Sequence, residues 1–135
     1  MAEATPGPRP RPLSPHVLNW RWHISAIAPI LNRAAGSALY LGLLIVAGWA
    51  VALASGRDAY ETYAGLFGSI PGRVVLFAVS AALFFHMANG VRHLAWDSGK
   101  GFAPKTANAT AWGAFAFALA AAVGAWSVAA LTGVL

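Results

Sequence analysis

Three stretches of this chain, positions 34–56, 74–91 and 106–135, contain no Lys, Arg, Asp or Glu. A helix crossing a bilayer core must cover about 30 Å at 1.5 Å per residue. Uncharged apolar stretches of roughly 18 residues or more meet that requirement, whereas a helix buried in a soluble core seldom stays apolar on every side for so long. Charge is scarce in the whole chain too: 10% of residues are charged, against about 25% in an ordinary soluble domain. The sequence therefore predicts an all-α integral membrane protein with three transmembrane helices, spanning about 29–55, 73–96 and 108–131.

Basic residues outnumber acidic ones, nine to four. In a soluble protein that excess would suggest a nucleic-acid partner. Here the positive charges sit at helix ends, so membrane topology explains them and no nucleic acid is expected. Three spans put the N-terminus and the second loop on one side, with Arg9, Arg11, Arg21, Arg33, Arg92, Lys100 and Lys105; the other side holds Arg57 and Arg73. That bias predicts a cytoplasmic N-terminus in the cell inner membrane. The absence of cysteine excludes disulfides, thiolate metal sites and cysteine nucleophiles. The N-terminus has no apolar segment before a cleavage site, so no signal peptide is expected.

Residues 1–23 read as a proline-rich and interfacial arm, and 24–135 as the three-helix membrane domain. Trp20, Arg21, Trp22 and His23 suit the headgroup region. Pro29 donates no backbone hydrogen bond and fits a first helical turn, so the first helix is expected from about Pro29 to Ser55. Positions 56–72 read as a loop, punctuated by Pro71-Gly72. The third helix is rich in Ala and Gly (AWGAFAFALAAAVGAW), which lets neighbouring helices approach closely, so it is expected to pack on protein. Three helices make a poor self-contained bundle, and a second membrane subunit is the expected partner. No internal repeat is visible, and the helices are too few for the inverted repeats of most transporters.

The second helix carries the sharpest chemistry, FFHMANGVRHLAWD from Phe84 to Asp97. His86 and His93 lie seven apart and share a face, with Gly90 between them. An ionisable side chain deep in a span is costly and is by default a functional hypothesis. A neutral imidazole there is a natural axial haem ligand, and a glycine one turn on leaves room for a flat macrocycle. His93 and Arg92, nearer the surface, are candidate partners of haem propionates. From spacing alone, two readings of His86 stay open, a haem ligand or an interhelical hydrogen-bond partner. His93 taken alone reads as a marker of the membrane interface, and His16, in the arm, carries no evident chemistry. His23 is the other candidate ligand in this chain but lies shallower than His86, so a second ligand is expected from another subunit. The start of the first helix adds Ser25, Asn32 and Arg33. Arg33 at the membrane boundary also reads as a topological anchor, and Ser25 and Asn32 as capping or interface residues.

Taken together, RPLSPH at 11–16, SAIAPILNRAAG at 25–36 and HMANGVRHLAWD at 86–97 resemble the three signatures of the cytochrome b556 subunit of succinate dehydrogenase (respiratory complex II), in the same order and spacing over nearly the whole chain. The resemblance implies that His86 is the axial ligand of a haem b shared with a second membrane subunit. It implies that His93 lies near the propionates and that Arg33 stands between the ubiquinone pocket and the haem. Pro29 replaces the family's quinone-site serine and Asn32 the histidine before the arginine; Ser25, one turn earlier, is a candidate for the missing hydroxyl. The implied partners are a flavoprotein subunit that oxidises succinate, an iron–sulfur subunit and the second membrane anchor, with membrane lipid around them. Electrons would reach a quinone near Arg33, whose guanidinium can stabilise negative charge developing on a quinone oxygen. The chain would then be a subunit of an enzyme, with no succinate-oxidising site of its own. The alternatives are a fumarate reductase anchor running the same path in reverse, and a non-catalytic membrane scaffold in which His86 only packs.

Overall fold

The computed structural model describes residues 21–133. Four helices follow one another, α1 (Ile24–Ala54), α2 (Arg57–Gly68), α3 (Ile70–Asp97) and α4 (Pro104–Leu131), and no strand occurs among the described residues. Helices α1, α3 and α4, of 31, 28 and 28 residues, are long and apolar enough to cross a membrane. Leu41, Leu43, Leu44 and Val46 of α1, Leu83 of α3 and Leu119 of α4 point outward from their middles, which suits lipid or another apolar helix and not water. The chain is an all-α, multi-pass membrane protein.

Two elements differ from the sequence expectation. Helix α1 begins at Ile24, so Pro29 lies inside it. Its missing N–H leaves the Ser25 carbonyl without the usual helical donor, a loss tolerable this close to a helix start. The stretch read as a loop contains α2. Tyr60, Tyr63, Ala64 and Phe67 recur at helical spacing along one side of it, facing a groove against Ile45, Trp49 and Leu76. The Tyr63 hydroxyl donates to the Ile45 carbonyl at 2.6 Å, while Arg57 and Glu61 pair at 2.7 Å on the exposed side. Pro71 stands in the first turn of α3, where Ser69 caps the helix by accepting from the Gly72 N–H.

The long helices run antiparallel in sequence order. On α1, Gly36 faces His86 and Gly42 faces Val79; between α3 and α4, Arg92 meets Thr110, Phe84 meets Phe117 and Ser80 meets Trp126. Close approach comes from small residues. The buried apolar set is seven alanines and one large side chain, Phe85. The stripe Ala111, Ala114, Ala118 and Ala122 turns the uniformly apolar α4 inward. In a membrane such seams are held by close van der Waals contact, since lipid removes most of the hydrophobic drive between helices. Gly42 shows the tolerance: a Cβ there would come within 2.7 Å of Val79 Cγ1.

Candidate functional site

His86 lies on the α1–α3 seam, 11 residues or about 16 Å from the end of α3 at Asp97. Its Nδ1 is 3.2 Å from the Asn32 carbonyl oxygen. A carbonyl only accepts, so this is a hydrogen bond when Nδ1 carries the proton. The neutral ring then has its lone pair on Nε2, the form in which imidazole ligates a metal. Donation from the non-ligating nitrogen to a backbone carbonyl is the usual way a ligand histidine is oriented. Among the described residues no three His, Cys, Asp or Glu side chains cluster. A lone imidazole cannot build a bare-ion site, but it suits iron already held by four ring nitrogens.

One turn beyond His86, Gly90 is exposed and a Cβ there would meet nothing within 4 Å. His93 is exposed on the same side, its ring edge-on to Trp96 with centroids 5.0 Å apart. His86, Gly90 and His93 thus follow one side of α3, with open space beside the glycine. Arg92 does not join them. It lies about 120° round the helix from His86 and turns inward. Its guanidinium donates to Asn89 Oδ1 (2.6 Å), Thr110 Oγ1 (3.1 Å) and the Ala107 carbonyl (3.1 Å), and sits 4.7 Å from the Trp96 ring centroid. The sequence expectation that Arg92 reaches toward propionates is corrected: its donors hold α4 against α3.

The early start of α1 also moves Arg33. It stands nine residues, about 13 Å, inside the helix. With Gly36 opposite His86 and Gly42 opposite Val79, it is level with about residue 88 or 89 of α3, and not with the end of the bundle. Its side chain is exposed and makes no hydrogen bond or ion pair among the described residues. Asn32, the adjacent residue, presents its carbonyl to His86, and its side-chain Oδ1 is buried without a hydrogen-bond partner. Ser25 is half-buried, two turns back on the side of α1 that carries Asn32. His23 stands at the N-cap position of α1, 13 residues or about 20 Å along the axis from Gly36 and the level of His86. That distance prevents both histidines from ligating one iron. His16 and the RPLSPH stretch lie outside the described residues.

Sequence reasoning singled out neither Asn89 nor Gly36 as a working part of the site. Asn89 is the largest fully buried side chain, bonded to the Phe85 carbonyl and to Arg92. The signal was its i,i+3 spacing to an arginine within a span. Gly36 lies against the His86 ring, and its i,i+4 spacing to Asn32 was the corresponding signal.

A family model described as succinate dehydrogenase/fumarate reductase transmembrane subunit matches residues 7–125. The chain is 39% identical over 102 residues to the succinate dehydrogenase cytochrome b556 subunit of Rickettsia felis, covering 76% of this chain and 79% of that one. It is 35% identical over 91 residues to the subunit of the same description in Paracoccus denitrificans, covering 67% and 70%. Against the mitochondrial succinate dehydrogenase cytochrome b560 subunit of Homo sapiens it is 36% identical over 96 residues, covering 67% and 55%.

Proposed function

The chain belongs to the succinate dehydrogenase/fumarate reductase transmembrane-subunit family, as a membrane cytochrome b subunit of succinate dehydrogenase, and from that premise we propose that it binds haem b through His86 and forms part of a ubiquinone site around Arg33. The observation that carries the haem reading is the Nδ1 contact with the Asn32 carbonyl, which leaves Nε2 as the ligating atom. Gly90 supports it by leaving open space beside the same edge of α3.

Haem b, when bound, carries single electrons. The rest of the work falls to this chain's own residues. His86 would hold the haem iron through Nε2, and a further protein ligand would come from another membrane subunit, because His23 lies about 20 Å away along the bundle. His93, toward the end of the same edge, would donate to a propionate. Arg33 presents a planar guanidinium between quinone and haem, where its fixed charge opposes the negative charge that develops on a quinone oxygen during reduction. Asn32 and Ser25 are the weaker polar contributors: a carboxamide with an unsatisfied acceptor and a hydroxyl at the helix start. Apolar helix faces around them exclude water.

The proposed division is an arm of 1–23, of which residues 1–20 lie outside the described residues, and a membrane domain of 24–135. The N-terminus faces the cytoplasm of a bacterial cell; Arg33 lies about 13 Å inside α1, and Ser25, at the start of that helix, meets the soluble subunits. Those are a flavoprotein that oxidises succinate and an iron–sulfur protein that passes the electrons on. The description of the relatives as succinate dehydrogenase subunits supports the direction from succinate to quinone. Purification with the partner subunits, followed by a haem stain and a reduced-minus-oxidised spectrum, tests the assignment. Low-spin b-type bands are expected, and an intact complex without haem would overturn it.

A further inference from the structure

We propose that Gly36 and the Asn32 carbonyl act together as the positioning device for the His86 imidazole, the bare backbone at 36 letting the ring lie against α1 so that Nδ1 reaches the carbonyl. This rests on the reading of His86 as a haem ligand. Asn32 and Gly36 are one helical turn apart and line the same side of α1. The Asn32 oxygen has two lone pairs, one for the helical N–H of Gly36 and one for an outside donor. His86 Nδ1 takes the second position at 3.2 Å. The ring can occupy it because nothing projects from residue 36: a Cβ built there would lie 3.4 Å from His86 Cε1 and 3.7 Å from Nδ1.

Those distances grade the effect. A methyl group would stand at ordinary contact distance and leave the ring in place. Any atom one bond further out would claim volume that the imidazole fills, and the ring would have to rotate or withdraw from the carbonyl. Losing the Nδ1–H···O bond makes the imidazole a weaker donor to iron, which favours the reduced state and raises the potential. Ring rotation also changes the orientation of the axial ligand relative to its partner.

The test uses the assembled complex carrying Gly36→Ala, Gly36→Cys or Gly36→Val, with ferric EPR spectra and redox titration of the haem. Alanine should reproduce the wild-type g values and midpoint. Cysteine should shift the midpoint to a more positive value, with displaced g values, and valine should shift both further. Either larger variant decides alone if the other does not assemble. Wild-type g values and midpoint in the Cys or Val variant would overturn the proposal. His86→Ala, run in parallel, separates the two levels: retention of a low-spin spectrum there removes the haem reading itself. Loss of that spectrum beside an unresponsive Gly36 series removes only the positioning device.

Discussion

The Arg92 guanidinium donates to the Asn89 carboxamide oxygen at 2.6 Å, inside a core otherwise built largely of alanine. Asn89 is held in turn by donation to the Phe85 carbonyl, and Arg92 continues to Thr110 and Ala107 on α4. Two polar side chains thus replace shape complementarity where the alanine stripe gives out, five to eight residues short of the end of α3. Their burial is affordable because each group has its partners.

Arg92→Leu should therefore loosen α4 from α3. It removes three donated bonds and leaves Asn89 Oδ1 buried without a donor, a loss of about 1–3 kcal/mol, toward the lower end because membrane hydrogen bonds are individually modest. Thermal denaturation of the purified complex should show a midpoint several degrees lower. Arg92→Lys should restore little, since a single ammonium cannot reproduce the guanidinium fork. An unchanged midpoint in Arg92→Leu would mean that the network adds nothing to the alanine seam.

Arg33→Leu should separate two activities. The exposed guanidinium has no partner among the described residues, and in the proposed site it would serve the quinone. Its loss should lower succinate:quinone reductase activity by on the order of a hundredfold, the low end of what removing one charge-stabilising donor costs. Succinate oxidation measured with a soluble dye should stay at wild-type levels. Quinone reduction near wild type would make Arg33 a topological anchor.

The three spans were legible because a bilayer imposes one requirement, about 20 apolar residues without charge, and the chain meets it three times. Helix α2 was not, although Tyr60, Tyr63 and Phe67 show helical spacing. Arg57, Asp58, Glu61 and the glycines around them resemble loop punctuation, and the helix is recognisable only when it has α1 and α3 to lie against. Pro29 misled for a related reason: a proline marks where a helix can begin, but α1 could begin earlier and forgo one bond. His86 was legible from depth and spacing. The Asn32 contact was not, because it joins residues 54 apart in sequence. Arg92 could have been placed correctly from the wheel, which turns it about 120° away from His86.

Orientation can be tested with the chain's own composition. It has no cysteine, so single cysteines report alone. With the N-terminus in the cytoplasm, Ser98→Cys in the α3–α4 turn should react with a membrane-impermeant maleimide only after permeabilisation. Ser55→Cys, at the opposite end of α1, should react in intact spheroplasts. Both serines are exposed in the chain. The reverse pattern would invert the topology and remove Arg33 from the side of the soluble subunits.

His86→Ala should abolish the low-spin character of the haem. Three independent features of the chain support this outcome. Nδ1 lies 3.2 Å from the Asn32 carbonyl oxygen, and because a carbonyl only accepts, a proton on Nδ1 makes that hydrogen bond and frees Nε2. Gly90 leaves open space on the same edge of α3. No other histidine among the described residues can take over: His93 lies two turns away, about 10 Å along the axis, and His23 about 20 Å. Low-spin haem b needs a strong axial donor on each face of the iron, so loss of one imidazole should leave a five-coordinate, high-spin or depleted haem. Part of the haem can remain, because apolar packing and the proposed His93 contact would survive. Occupancy is therefore the weaker readout and spin state the stronger one. His23→Ala should leave the spectrum unchanged. An unaltered bis-histidine spectrum in His86→Ala would refute the assignment, and a fully low-spin haem in this chain purified without any partner would refute a ligand from the second subunit.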